Sequence, residues 1–153
     1  MPNHQRHCRW DIQPSGNGYY YSMPPSERQR RTIVSLVLDS TFSFEELYQC
    51  TCLETLIINT KSVKSIPYGI GQLCKIQYLE ITGCGITSLP ADIVLLDQMT
   101  FLRIWNTKLI SLPRGMVYLK RLDIRNCPIT SLEGIDQYTD LRNLYAGHNM
   151  ISN

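Results

Sequence analysis

Apolar residues recur along the chain in a frame that restarts at Ile33, Leu53, Ile76, Met99, Leu119 and Leu141, at intervals of 20, 23, 23, 20 and 22 residues. From each start they fall at offsets 0, 3, 5, 10 and 13. The second turn gives Leu53, Leu56, Ile58, Val63 and Ile66, and the third Ile76, Leu79, Ile81, Ile86 and Leu89. Met99, Leu102, Ile104, Leu109 and Leu112 follow, then Leu119, Leu122, Ile124, Ile129 and Leu132. Five slots kept through four successive turns exceed what a 43% apolar composition produces by chance. A fixed period in the twenties marks stacked repeats, so the chain reads as a solenoid.

The spacing within a turn predicts the local structure. Alternation puts offsets 3 and 5 on one face of a short strand and offsets 2, 4 and 6 on the other. Such a strand is too short to stand alone, so it pairs with the same strand in neighbouring turns, about 4.8 Å away. The result is a parallel sheet whose inner face is core and whose open face is concave. Leu102 is then an inward residue and Arg103 an outward one, expected to contribute little to stability.

In register, the turns read IVSLVLDSTFS, LETLIINTKSV, IQYLEITGCGI, MTFLRIWNTKL, LKRLDIRNCPI and LRNLYAGHNMI. They resemble the leucine-rich repeat family, whose frame is L-x-x-L-x-L-x-x-N/C-x-L. The resemblance covers about residues 33–153 and implies an α/β solenoid: a parallel sheet on the concave face, with loops, 3-10 turns or short helices on the convex face. The second halves SIPYGIGQL, SLPADIVLL and SLPRGMVYL resemble the short intracellular subclass, and ITSLEGIDQYTDLRNL the 22-residue phosphatase-regulator type. The family places an Asn at offset 8, whose amide satisfies buried backbone groups where the chain leaves the strand. Here that slot holds Thr41, Lys61, Cys84, Thr107, Cys127 and Asn149. Lys61 departs from the pattern and is expected to send its ammonium out to water.

Two regions break the frame. Residues 1–32 carry Pro2, Pro14, Pro24, Pro25, the Gly16-Asn17-Gly18 turn signal, Tyr19 to Tyr21 and the basic cluster Arg28, Arg30 and Arg31, with almost no aliphatic periodicity. They predict a flexible arm with solvated charges, ahead of a repeat domain over 33–153 of about five and a half turns, the last incomplete. After Thr41, Ser43 and Glu46 occupy slots that should be apolar. The stretch SFEELYQC instead suits a short helix with Ser43 and Glu46 as a capping box, closing the first turn. At the other end Leu144, Ala146 and Ile151 have no following turn, which predicts fraying or self-association there.

Composition narrows the function. Fifteen basic and 13 acidic side chains leave a formal charge of +2, which calls for neither nucleic acid nor an anionic membrane. MPNHQRHCRW lacks the apolar core of a signal peptide, and no run approaches the roughly 18 apolar residues of a membrane span. A cytoplasmic protein is expected. Cys84 and Cys127 share offset 8 two turns apart, about 9.6 Å by sheet spacing, too far for a disulfide. Cys50-x-Cys52 near Cys74 lacks the paired C-x2-C of a zinc site, and His4, His7 and Cys8 lack a second ligand pair.

No catalytic constellation emerges: no nucleophile beside a base, no paired carboxylates and no ligand cluster. His148 reads as a surface residue of the last turn, and Gly69, Gly71, Gly83 and Gly85 as turn residues. No enzymatic activity, cofactor or metal is expected. What remains is the concave stripe, where Tyr78, Glu80, Phe101, Arg103, Trp105, Arg121, Asp123 and Arg125 gather in the third to fifth turns. Aromatic residues beside arginines have the composition of a binding hot spot. The sequence therefore predicts a non-enzymatic scaffold binding a protein partner there. The alternatives are a truncated or relic fragment of a longer repeat protein, or a substrate adaptor of a ubiquitin ligase.

Overall fold

The computed structural model describes residues 26–38 and 42–152. Most of the expected arm, with His4, His7 and Cys8, and the first-turn residues Asp39 and Thr41 lie outside the described residues. The remainder forms a six-stranded parallel sheet in strict chain order. Its strands are β1 (Ser35–Leu38), β2 (Thr55–Asn59), β3 (Tyr78–Thr82), β4 (Phe101–Trp105), β5 (Arg121–Asp123) and β6 (Asn143–Tyr145).

The pairing register is the register of the sequence frame. Thr55, Tyr78, Phe101, Arg121 and Asn143 stand abreast across five strands, as do Leu56, Leu79, Leu102, Leu122 and Leu144. A slip of one residue in any strand would turn its leucine outward and its polar neighbour into the core. Leu56, Leu79, Leu102, Leu122 and the offset-5 isoleucines Ile58, Ile81, Ile104 and Ile124 are all buried. Each contributes about 1.5 to 3 kcal/mol by leaving water.

The convex side is built from 3-10 turns at Ile70–Gln72, Ala91–Leu95 and Ile135–Gln137. Ile70, Leu73, Ile93 and Leu96 drop inward from the first two and complete the core. The slot at offset 13 is weaker than the frame suggests: Ile66 is buried, but Leu89, Leu112 and Leu132 are only partly so.

How the chain leaves each strand explains the slot at offset 8. Gly83, Asn106, Asn126 and His148, all at offset 7, take left-handed conformations with φ of 64°, 53°, 58° and 58°. Glycine, and asparagine among L residues, visit this region most readily. That twist turns the next side chain inward. The Cys84 thiol points to the Ile58 carbonyl at 3.7 Å, the Cys127 thiol to the Ile104 carbonyl at 3.5 Å, and the Asn149 amide donates to the Ile124 carbonyl at 2.8 Å. In each case a side chain satisfies the offset-5 carbonyl of an earlier turn. The second turn has Thr60 at offset 7, and a β-branched residue resists positive φ. Thr60 itself turns inward there, its hydroxyl accepting from the Ser62 amide at 3.3 Å, while Lys61 lies exposed.

The amino-terminal end is closed by two short helices, α1 (Glu27–Arg30) and α2 (Phe44–Leu47). Leu47 and Cys50 fill the core where the first turn lacks apolar slots. The expected capping box does not form. Ser43 is the N-cap of α2 but makes no side-chain cap hydrogen bond, and Glu46 pairs instead with Arg30 at 2.5 Å. Arg30 also donates to Gln49 at 3.0 Å and is only 9% exposed, whereas Arg28 and Arg31 face water. Charge pairing across two helices outcompetes a local cap because a buried guanidinium cannot be left unpaired.

Candidate functional site

The concave face carries all eight residues singled out in the sequence, on three adjacent strands. β3 brings Tyr78 and Glu80, β4 brings Phe101, Arg103 and Trp105, and β5 brings Arg121 and Asp123, with Arg125 just beyond its end. Parallel pairing in register sets Glu80, Arg103 and Asp123 abreast.

These three form a row of alternating charge. The Arg103 guanidinium donates to Glu80 at 3.2 Å on one side and to Asp123 at 3.3 Å on the other. Arg125 takes Asp123 from above in a two-pronged contact, its Nε donating to Oδ1 at 2.8 Å and its second nitrogen to Oδ2 at 2.8 Å. The Tyr78 hydroxyl closes the row by donating to Glu80. Asp123 is 1% exposed, so its role is to hold two arginines in place rather than to meet a partner. The hydrogen bonds and charge of Arg125, aided by Arg103, hold its carboxyl below the usual carboxylate range, although burial acts the other way.

Aromatic rings make the second layer. Phe101 meets Tyr78 edge to face, with centroids 4.8 Å apart. The Arg121 guanidinium lies 4.5 Å from the Phe101 ring centroid and 5.1 Å from that of Tyr145, with Arg125 a further 5.6 Å from Tyr145. Such contacts contribute about 0.5 to 1 kcal/mol each at exposed sites. Arg121 makes no ion pair among the described residues, in contrast to Arg103 and Arg125. Trp105 stands at the end of β4, 50% exposed.

Sequence reasoning missed Tyr145 as a member of this group. It sits at offset 4 of the sixth turn, abreast of Asp123, one turn beyond the third-to-fifth-turn stripe that the sequence singles out. Arg103 is also less free than its outward position implies. What the arrangement offers chemically is recognition: one guanidinium without a carboxylate partner set between two rings, a half-exposed indole at the far end of β4, and carboxylates already paired with neighbouring arginines.

No protein-family model matches the sequence, and no curated protein matches it. Solved structures do match. An internalin of Listeria monocytogenes superposes with a TM-score of 0.72 at 19% identity, over 90% of this chain and 41% of its own. A leucine-rich repeat protein of Leptospira interrogans gives 0.66 at 28% identity, over 78% of this chain and 31% of its own. The leucine-rich repeat ectodomain of the Arabidopsis thaliana receptor kinase SOBIR1 gives 0.59 at 19% identity, over 78% of this chain and 71% of its own. This chain thus spans less than half the length of the first two. The recurring apolar frame, the six-stranded parallel sheet paired in that frame's register and these neighbours give the chain a leucine-rich repeat fold.

Proposed function

We propose that this repeat protein is a non-enzymatic scaffold that binds another protein on its concave face, with Trp105 and Arg121 as the principal anchors. Leucine-rich repeat neighbours support an interaction scaffold in general. The observation that carries the finer reading is Arg121 set between Phe101 and Tyr145 without a carboxylate partner at one end of the stripe, with a half-exposed Trp105 at the other. Rigid, pre-placed aromatic and arginine side chains lose little freedom on binding and dominate interface energies. Among the described residues, thiols outside any disulfide at Cys52, Cys74, Cys84 and Cys127 fit a reducing compartment, and hence a partner inside the cell.

Co-purification of the natural partner with tagged protein tests this. Trp105→Ala and Arg121→Ala should each weaken capture by about 2 kcal/mol or more while leaving the fold intact. Equal recovery of the same partner by all three forms removes the concave-face assignment.

A second contact is favoured by one observation at the β6 edge of the sheet. On β6, Leu144 is 39% exposed although its counterparts in the inner strands are buried, and Met150 and Ile151 beyond it are exposed too. A second copy pairing edge to edge would cover them. Sedimentation at rising concentration should then show a dimer that Leu144→Asp abolishes; a monomer at all concentrations overturns it.

A further inference from the structure

The rim just beyond the strands carries one sign of charge. At offsets 6 to 11 the second to sixth turns read NTKSVK, TGCGIT, WNTKLI, RNCPIT and GHNMIS, with Lys61, Lys64, Lys108, Arg125 and His148 but no carboxylate. All three lysines line a single groove. Its floor is Gly83, Cys84 and Gly85 of the third turn, with Lys61 and Lys64 on one side and Asn106 and Lys108 on the other.

The floor is low because the third turn has glycine where others have side chains. Gly83 needs its left-handed φ of 64°. At Gly85 an added Cβ would fall 2.7 Å from Lys64 Cδ and 3.1 Å from its Nζ, so the Lys64 stem lies across the floor with its ammonium over Gly85. Among the described residues no ion pair involves Lys61, Lys64 or Lys108. Lys61 and Lys108 belong to turns two apart, about 10 Å by sheet spacing, close to one Debye length at about 0.1 M salt, and Lys64 reaches in between them over Gly85. Three cations on one groove, with no counter-charge of their own, leave a positive potential there that an anion relieves. A single carboxylate would offset one of the three; a phosphate monoester, carrying about −1.5 to −2 at neutral pH and three acceptor oxygens, offsets most of the excess.

We propose that this groove binds a phosphate monoester presented by a phosphorylated protein segment. The groove is shallow and open along the rim, so it suits a group projecting from a chain laid across it rather than an enclosed small molecule. It shares neither Trp105 nor Arg121 with the concave face, so the two surfaces can fail separately.

The test uses amide spectra of the intact, isotopically labelled chain titrated with a pentapeptide bearing a central phosphoserine. Parallel titrations use its serine and glutamate forms and an oligothymidylate. The phosphopeptide should shift the amide signals of Gly83, Gly85 and Asn106, with the serine and glutamate forms at least tenfold weaker. Lys64→Gln with Lys108→Gln should weaken phosphopeptide binding at least tenfold, while Trp105→Ala leaves it unchanged. Both lysines are exposed, so the double variant should otherwise keep the native spectrum. Absent shifts, shifts spread equally to Lys75 and Lys120, or a glutamate peptide as good as the phosphopeptide would overturn the proposal. Tighter binding of the oligothymidylate than of the phosphopeptide would overturn it too, in favour of a surface for phosphodiester chains.

Discussion

One step along β4 separates two kinds of energetic role. Leu102 is fully buried between Leu79 and Leu122, so Leu102→Ala should cost about 2 to 5 kcal/mol, the usual range for a buried leucine truncated to leave a cavity. Its outward neighbour Arg103 would be neutral if it only faced solvent. Because it bridges Glu80 and the buried Asp123, Arg103→Ala should instead cost about 1 to 2 kcal/mol, the loss being limited by Arg125 staying on Asp123. Thermal midpoints of the two variants check both figures. Asp123 itself adds a pH dependence. Its folded-state pKa lies below the unfolded value of about 3.9, so its stabilisation is present above that pH and is lost as the pH falls through the folded value. Asp123→Asn should therefore lower the midpoint at pH 7 and flatten its decline below about pH 4. Parallel declines for the two proteins would show that Asp123 is not the group responsible.

At the scale of elements, legibility followed the repeat. β2 to β5 were readable because the same slot recurs in each turn, and register errors would expose leucine. The concave stripe came with them, since Tyr78, Phe101 and Arg121 are neighbours by register alone. What stayed illegible depends on partners that no period announces. The sequence does not reveal that Asp123 is covered by Arg125 two residues on, that Tyr145 carries Arg121, or that Thr60 replaces Lys61 as the inward side chain. The amino-terminal cap is the clearest case: a local signal at Ser43 and Glu46 lost to a contact with Arg30, 16 residues away in sequence. That contact gives a test. Arg30→Ala strands Glu46 and opens the α1 side of the first turn, so amides of Ser35–Leu38 in β1 should exchange faster while those of β4 are unaffected. Unchanged exchange in β1 would mean that α1 does not close the array.

For the whole molecule, each turn touches only its sequence neighbours, so stability should vary along the array rather than belong to one core. β3 and β4 have a paired strand on both sides, and their leucines and isoleucines are buried. β6 is paired only with β5; Leu144 is 39% exposed, and Ala146 stands where β2 to β5 lead to isoleucine. The side chain of Asn149 still donates to the carbonyls of Ile124 and Ala146, at 2.8 Å and 2.7 Å, and this ties the last turn to the one before it. Its stability therefore rests more on that amide than on apolar burial. Hydrogen exchange at low protein concentration should rank β3 and β4 slowest and Asn143–Tyr145 fastest, and Asn149→Ala should speed exchange in the last turn alone, by removing the side-chain donor from the carbonyls of Ile124 and Ala146. Raising the concentration separates edge pairing from simple fraying: protection that grows at Asn143–Tyr145 in the native chain but not in Leu144→Asp means a second copy covers the edge. Uniform protection from β1 through β6 at every concentration would contradict a graded array and mean that the six turns open as one cooperative unit.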